Sequence, residues 1–175
     1  YAWVCAYNNT LIPVQYKVIG TGSVSTIVEN TKGEKITMFC PEATEVLFED
    51  YGVGQLVNGK ASITLDPDFA KNIIVDDKHN LRVFIQLEGD CKGVFVTNKT
   101  QNGFEVIELD GGTSNAKFTY KVVANRADEV INGENVSLYS QVRMPLAPPK
   151  GTKNSINTML MDQNINTADP ANKPK

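Results

Sequence analysis

Between Phe48 and Arg126 the chain alternates apolar and polar residues in short runs, with turn-forming residues between them. Successive side chains of a strand point to opposite faces, so this period of two confines the stretch to half-buried antiparallel β-structure. In Lys60–Asp66, Ala61, Ile63 and Leu65 share one face and Lys60, Ser62 and Thr64 the other. Leu81, Val83, Ile85 and Leu87 repeat the pattern, as do Phe118, Tyr120 and Val122. These three faces are expected to form the core. Further strands are expected at Val94–Asn98 and Phe104–Leu109. Asp76–Asn80, Gly89–Gly93, Gln101–Gly103 and Asp110–Gly112 read as the turns, with Asn102-Gly103 as the strongest hairpin signal. One short helix is expected over 66–73: Asp66 caps it, Pro67 suits its first position, Asp68 complements its positive end, and Phe69, Ala70 and Ile73 face inward.

The flanks have a different texture. Four strand-like runs, 2–7, 13–19, 23–29 and 34–40, precede the alternating stretch, and Thr31-Lys32-Gly33 reads as a hairpin turn. Val46, Phe48 and Tyr51 stand as apolar anchors among the acids of 41–52. Residues 136–144 predict one more strand. Beyond it Pro145, Pro148, Pro149 and Gly151 break regular structure. The organisation expected is an N-terminal β-strand region over 1–40, a β-domain over 41–144, and an extended Pro/Asn-rich tail over 145–175 that docks on a neighbouring subunit. The fold class is all-β, an antiparallel β-sandwich or fibre-type β-domain with one short helix.

A net charge of −3, with no run of three basic residues, offers no footprint for nucleic acid. No apolar run approaches the roughly 20 residues of a membrane helix, so no membrane span is expected. The chain begins at Tyr1 without a signal-peptide pattern and reads as a mature form or a fragment. Cys5, Cys40 and Cys91 lack metal or redox spacing. They read as three buried thiols, with one disulfide plus one free thiol left open.

Little in the sequence can perform chemistry. His79, the only histidine, lies in a turn beside Asp76 and Asp77 and reads as a solvated loop residue, without the serine that a triad requires. Glu42, Glu45, Glu49, Asp50, Asp66 and Asp68 could supply a hydrolytic carboxylate pair, and Asp66, Asp68, Asp76 and Asp77 a calcium site. Both patterns are as common on exposed turns. Tyr7, Tyr16, Phe95 and Tyr139 could stack on sugars, against a reading as cross-strand packing residues. No catalytic, cofactor-binding or metal residue is assigned, and no cofactor is expected.

The segments FCPEATEVLFEDYG (39–52), GQLVNGKASITLDPDFAKNI (54–73), VFIQLEGDCKGVFVTNKTQNGFEVIEL (83–109), GGTSN (111–115) and FTYKVVANR (118–126) occur in an order that resembles a known module. That module is a β-rich unit at the C-terminal ends of tail-fibre-like proteins, which are secreted or phage-encoded and common in the Bacteroidetes. The resemblance covers about residues 34–145. It implies an extracellular, cell-surface or virion location and a non-enzymatic structural role in a homo-oligomer, trimer or filament. Some fibre proteins carry a downstream self-cleaving Ser-Lys domain; nothing in this chain matches it. The expected function is a structural subunit of an extracellular fibre, filament or phage-like tail appendage, in contact with copies of itself and with other fibre or tail proteins. The alternative is an adhesin tip that binds surface glycans or a receptor.

Overall fold

The computed structural model describes the backbone of residues 2–8 and 15–146, and side-chain surroundings from Val18 onward, Ile19 excepted. By its contacts the chain divides into Tyr1–Pro145 and Leu146–Lys175, and nearly all of the second unit, with the expected tail, lies outside the described residues.

The described part is all-β and antiparallel, with thirteen strands and one short helix. Two hairpins come first. β1 (Ala2–Asn8) pairs β2 (Gln15–Gly20) with an irregularity between Val4 and Tyr7. β3 (Ser25–Glu29) pairs β4 (Lys35–Phe39) in register from Ser25 opposite Phe39 to Glu29 opposite Lys35. Its turn is locked by Asn30, whose Oδ1 accepts from the backbone N–H groups of Lys32 and Glu34.

Seven of the remaining nine strands build two sheets around one core, and the last two pair with each other in a separate hairpin. In the first, β11 (Lys117–Arg126) is central. It pairs β5 (Leu47–Gln55) along one side, and β8 (Arg82–Leu87) and the short β7 (Ile73–Ile74) along the other. In the second, β10 (Gly103–Glu108) lies between β6 (Lys60–Thr64) and β9 (Val94–Thr100). The core consists of Leu56, Leu65, Ile73, Leu81, Phe104, Val106, Ala116, Phe118, Val122 and Ala124. It draws on both sheets, with the Phe104 and Tyr120 rings meeting edge to face at 5.3 Å. Ala61, Ile63, Val83, Ile85, Leu87 and Tyr120 pack against it half-buried, so the three expected faces do line the core.

The β5–β11 pair depends on two glycines. Phe118 stands opposite Gly54 and Tyr120 opposite Gly52. A Cβ on Gly54 would sit inside the Phe118 ring, and one on Gly52 inside the Tyr120 ring. The two rings therefore lie across the neighbouring strand where its side chains would be. Helix α1 (Pro67–Lys71) forms as expected: Asp66 Oδ1 accepts from the N–H groups of Asp68 and Phe69, and Ala70 is buried.

Three Asn-Gly dipeptides behave differently. Asn58-Gly59 (φ 51°, 78°) and Asn132-Gly133 (φ 54°, 83°) both take the left-handed pair of a type I′ turn. The first turns the chain from β5 into β6, and the second joins β12 (Glu129–Ile131) to β13 (Glu134–Ser137). The expected turn at Asn102-Gly103 falls one residue earlier. Thr100 pairs Gly103, which opens β10 without a positive φ, and a Cβ there would strike the Ile63 carbonyl. The strand expected over 136–144 is also corrected. Its first residues end β13, Tyr139–Gln141 form a 3-10 turn, and Arg143 makes only a single bridge to Glu45.

One end of the sandwich is organised by a buried acid. Glu108, 4% exposed, closes β10 and faces inward with Phe104 and Val106. Its Oε1 accepts from the Lys92 N–H at 3.0 Å and its Oε2 from the Ser114 N–H at 2.7 Å. Its own N–H donates to the Gly59 carbonyl, and the Gly59 N–H to the Ser114 carbonyl. Loops 89–93 and 110–115 thus meet at its carboxylate, and loop 57–60 at its backbone N–H. The two backbone N–H donors hold Glu108 below its ordinary value of 4.5, against the opposing effect of burial.

Two stability measurements check this framework. Gly54→Ala should cost about 1–3 kcal/mol in urea unfolding, because Phe118 is fully buried and has nowhere to retreat. Glu108→Gln should lower the denaturation midpoint far more than Glu105→Gln, since an amide can accept at only one of its two former oxygen positions. A depressed carboxylate stabilises above its unfolded value, and that stabilisation is lost as pH falls through the lower folded value. The difference between wild type and Glu108→Gln should therefore be full at neutral pH and shrink in acid.

Candidate functional site

With Phe118, Tyr120, Val122 and Ala124 turned into the core, period two sends Thr119, Lys121, Val123 and Asn125 to the outer face of the first sheet. Strand register completes that face in rows. Lys121 is flanked by Tyr51 and Phe84, Thr119 by Val53 and Gln86, and Val123 by Glu49 and Arg82. Tyr51, Val53 and Phe84 are 64%, 78% and 58% exposed. Together with Gln86, Thr119 and Lys121 they line a shallow trough of about 540 Å³.

A hydrogen-bonded set of three side chains fixes the polar part of this face. Glu49 Oε1 lies 2.9 Å from Lys121 Nζ, and the Tyr51 hydroxyl donates to Glu49 Oε2 at 2.7 Å. Lys121 Nζ also stands 5.7 Å from the centre of the Tyr51 ring, within range of a cation–π contact. Hydrogen bonds from Lys121 and Tyr51 hold Glu49 below its ordinary value. The same carboxylate raises the Tyr51 phenol and the Lys121 ammonium above theirs. The lysine charge on this face is thereby compensated.

Three other polar clusters serve the architecture. Glu45 receives Arg82 at 3.0 Å, Arg143 at 3.0 Å and Asn125 at 3.3 Å, clasping the segment after β13 to the first sheet. Burial acts to raise Glu45, but the bonds from Arg143 and Asn125 and the charges of Arg82 and Arg143 leave it below its ordinary value. The Arg126 guanidinium lies 3.7 Å from the Tyr139 ring centre and 5.5 Å from that of Phe48. Asp76 Oδ1 accepts from the N–H groups of His79 and Lys78, which lower its pKa, and also contacts His79 Nδ1 at 2.8 Å. His79 Nε2 meets the Ser140 carbonyl at 3.2 Å.

His79 is therefore not a solvated loop residue. Its ring is 17% exposed and pins the 76–79 turn to the 3-10 turn at Tyr139–Gln141. The candidate carboxylates do not converge: Glu45 is clasped by arginines, Glu49 bonds Lys121 and Tyr51, Asp66 caps α1, and Glu42 is exposed. Among the described residues no three or more His, Cys, Asp or Glu are gathered where they could hold a metal ion, so Asp66, Asp68, Asp76 and Asp77 do not form one such group. Also among them, no helix is long and apolar enough to cross a membrane.

The expected aromatic platform is relocated. Tyr139 is buried beneath Arg126, Phe95 lies in the second sheet, and the side chains of Tyr7 and Tyr16 lie outside the described residues. The rings that do share an exposed face are Tyr51 and Phe84. Tyr51, expected as an apolar anchor with Phe48, has the opposite parity on β5 and points outward. Its parity relative to Gly52 and Gly54 was the available signal, and it is interpretable only once β5 is paired with β11. Cys40 and Cys91 are free thiols; Cys40 is exposed rather than buried, Cys91 is half-buried, and the Cys5 side chain lies outside the described residues.

No family model, no curated protein and no solved structure matches this chain.

The Tyr51–Glu49 bond makes a titration prediction. The Tyr51 phenol should ionise above its ordinary value of 10.0 in NMR spectra of ring-labelled protein, because losing its proton places an anion beside Glu49. Glu49→Gln should return it toward that value. An unchanged titration in this variant would mean that the carboxylate does not hold the hydroxyl in solution.

Proposed function

We propose that the chain is a structural subunit of an extracellular fibre, filament or tail-like appendage, assembling through contacts between strands of neighbouring copies. The observation that carries this reading is the β3–β4 hairpin. Ile27 and Phe39 project from one face, 71% and 69% exposed, and Met38 and Ile36 from the other, 59% and 43% exposed. A two-stranded hairpin alone in water is at best marginally stable. Apolar side chains on both of its faces are what a strand pair covered by other chains requires, since a solvated surface rarely carries so many together. The resemblance of residues 34–145 to a fibre-protein module supports the same role and the extracellular location.

Native mass spectrometry and light scattering of the full chain test the proposal. The wild type should form a homo-oligomer whose population grows with concentration, and Ile27→Lys with Phe39→Lys should shift it to monomer while circular dichroism retains the β-signal. A wild type that stays monomeric at all accessible concentrations would refute the assembly role.

A further inference from the structure

The outer face of β5–β11–β8 belongs to a different sheet from the β3–β4 hairpin and has a different character. We propose that it is a binding site for neutral oligosaccharides, with the apolar face of a pyranose ring resting on Tyr51 or Phe84. The row Tyr51–Lys121–Phe84 crosses three adjacent strands with each residue directly opposite the next. Neighbouring strands are about 4.8 Å apart, so the two aromatic positions stand roughly 10 Å apart on either side of the lysine. Aromatic rings exposed on the solvent side of a sheet add nothing to the core beneath it. They do offer flat apolar surfaces for a ligand that is apolar on one side and polar at its rim. A pyranose has that form: C–H groups on its face and hydroxyls around its edge.

Charge identifies the kind of sugar. The one cation at the centre of the trough is neutralised by Glu49 at 2.9 Å, and the next row supplies the uncharged Gln86 and Thr119. Such a site gains nothing from a uronate or a sulfated glycan, whereas hydroxyls can exchange hydrogen bonds with an ammonium, an amide and a hydroxyl alike. Geometry favours a small ligand. The trough volume of about 540 Å³ lies within the ordinary range of small-molecule sites. A second protein copy would need about 800 Å² on each partner with a core poor in charge. Here three apolar side chains surround an ion pair. The face is also pre-arranged: Glu49 already fixes the Tyr51 hydroxyl and the Lys121 ammonium, which reduces the ordering that a ligand must impose.

The test titrates the full chain with maltohexaose, cellohexaose, xylohexaose and mannohexaose, and with an anionic oligogalacturonate, using calorimetry and NMR of labelled Tyr and Phe. At least one neutral hexasaccharide should bind saturably and shift the Tyr51 and Phe84 signals. Tyr51→Ser and Phe84→Ser should each weaken that binding about tenfold, the loss of roughly 1.4 kcal/mol, while circular dichroism retains the β-signal. Tyr51→Phe, which keeps the ring, should bind nearly as well as the wild type. The proposal is overturned if no neutral member binds, if both serine variants bind as tightly as the wild type, or if the anionic oligomer is preferred. Shifts at Tyr51 and Phe84 that follow protein concentration without sugar would also overturn it and mark the face as a contact between copies. The oligomeric state of the Ile27 and Phe39 variants is a separate readout, so either proposal can fail alone.

Discussion

The pairing of β11 with β5 is the contact on which the first sheet and its outer face both rest. β11 is the common partner of β5, β7 and β8, and its inward side chains supply much of the core. Phe118 and Tyr120 do not stand upright beside side chains of β5. They lie over Gly54 and Gly52 instead, and the missing Cβ atoms become the space they occupy. Burying a ring of this size contributes on the order of 1.5–3 kcal/mol, so the two glycines offset their own loss of backbone freedom. The same parity commits Tyr51 and Val53 to solvent. The exposed aromatic face is thus a consequence of how the core is packed.

Glu108 has a comparable role at the end of the sandwich. A carboxylate buried at the end of a strand is costly unless its oxygens are bonded. The chain meets this cost with backbone N–H groups from two loops and a third loop that interlocks with them. The glycine-rich segments 89–93 and 110–115 read in the sequence simply as turns. Their dense polar and glycine content is accounted for by the need to bring several N–H groups to one acid. Asp110 and Gly111 take left-handed conformations within that loop.

Much of the fold was legible in the residues, and the failures have physical causes. The alternating faces at 61–65, 81–87 and 118–122 line the core because period two is a local property of a strand. Asp66 and Pro67 announced α1 because a helix cap is completed within a few residues. The region 136–144 was misread as one strand: its β-forming composition is real, but Tyr139 is drawn under Arg126 and Ser140 bonds Asp128 and His79. His79 was misplaced for the same reason, since its partner at Ser140 is 61 positions away. Asn102-Gly103 carried the strongest local turn signal and lost to the close approach of β10 to Ile63. The candidate site was the least legible part, because Tyr51 and Phe84 share a face only through the strand between them.

The sequence by itself determined the class of structure: antiparallel strands, one capped helical turn, and the residues that turn inward. Those properties depend on neighbours one to four positions apart, which the chain carries wherever it folds. Only the tertiary structure decided which strands became neighbours, which acid was buried, and which apolar side chains were left in water. Register between β5, β11 and β8 joins residues up to 78 positions apart, Leu47 opposite Asn125, and no local preference specifies that alignment. It is set by two rings that fit over two glycines, a match of shapes that exists only once the strands have met.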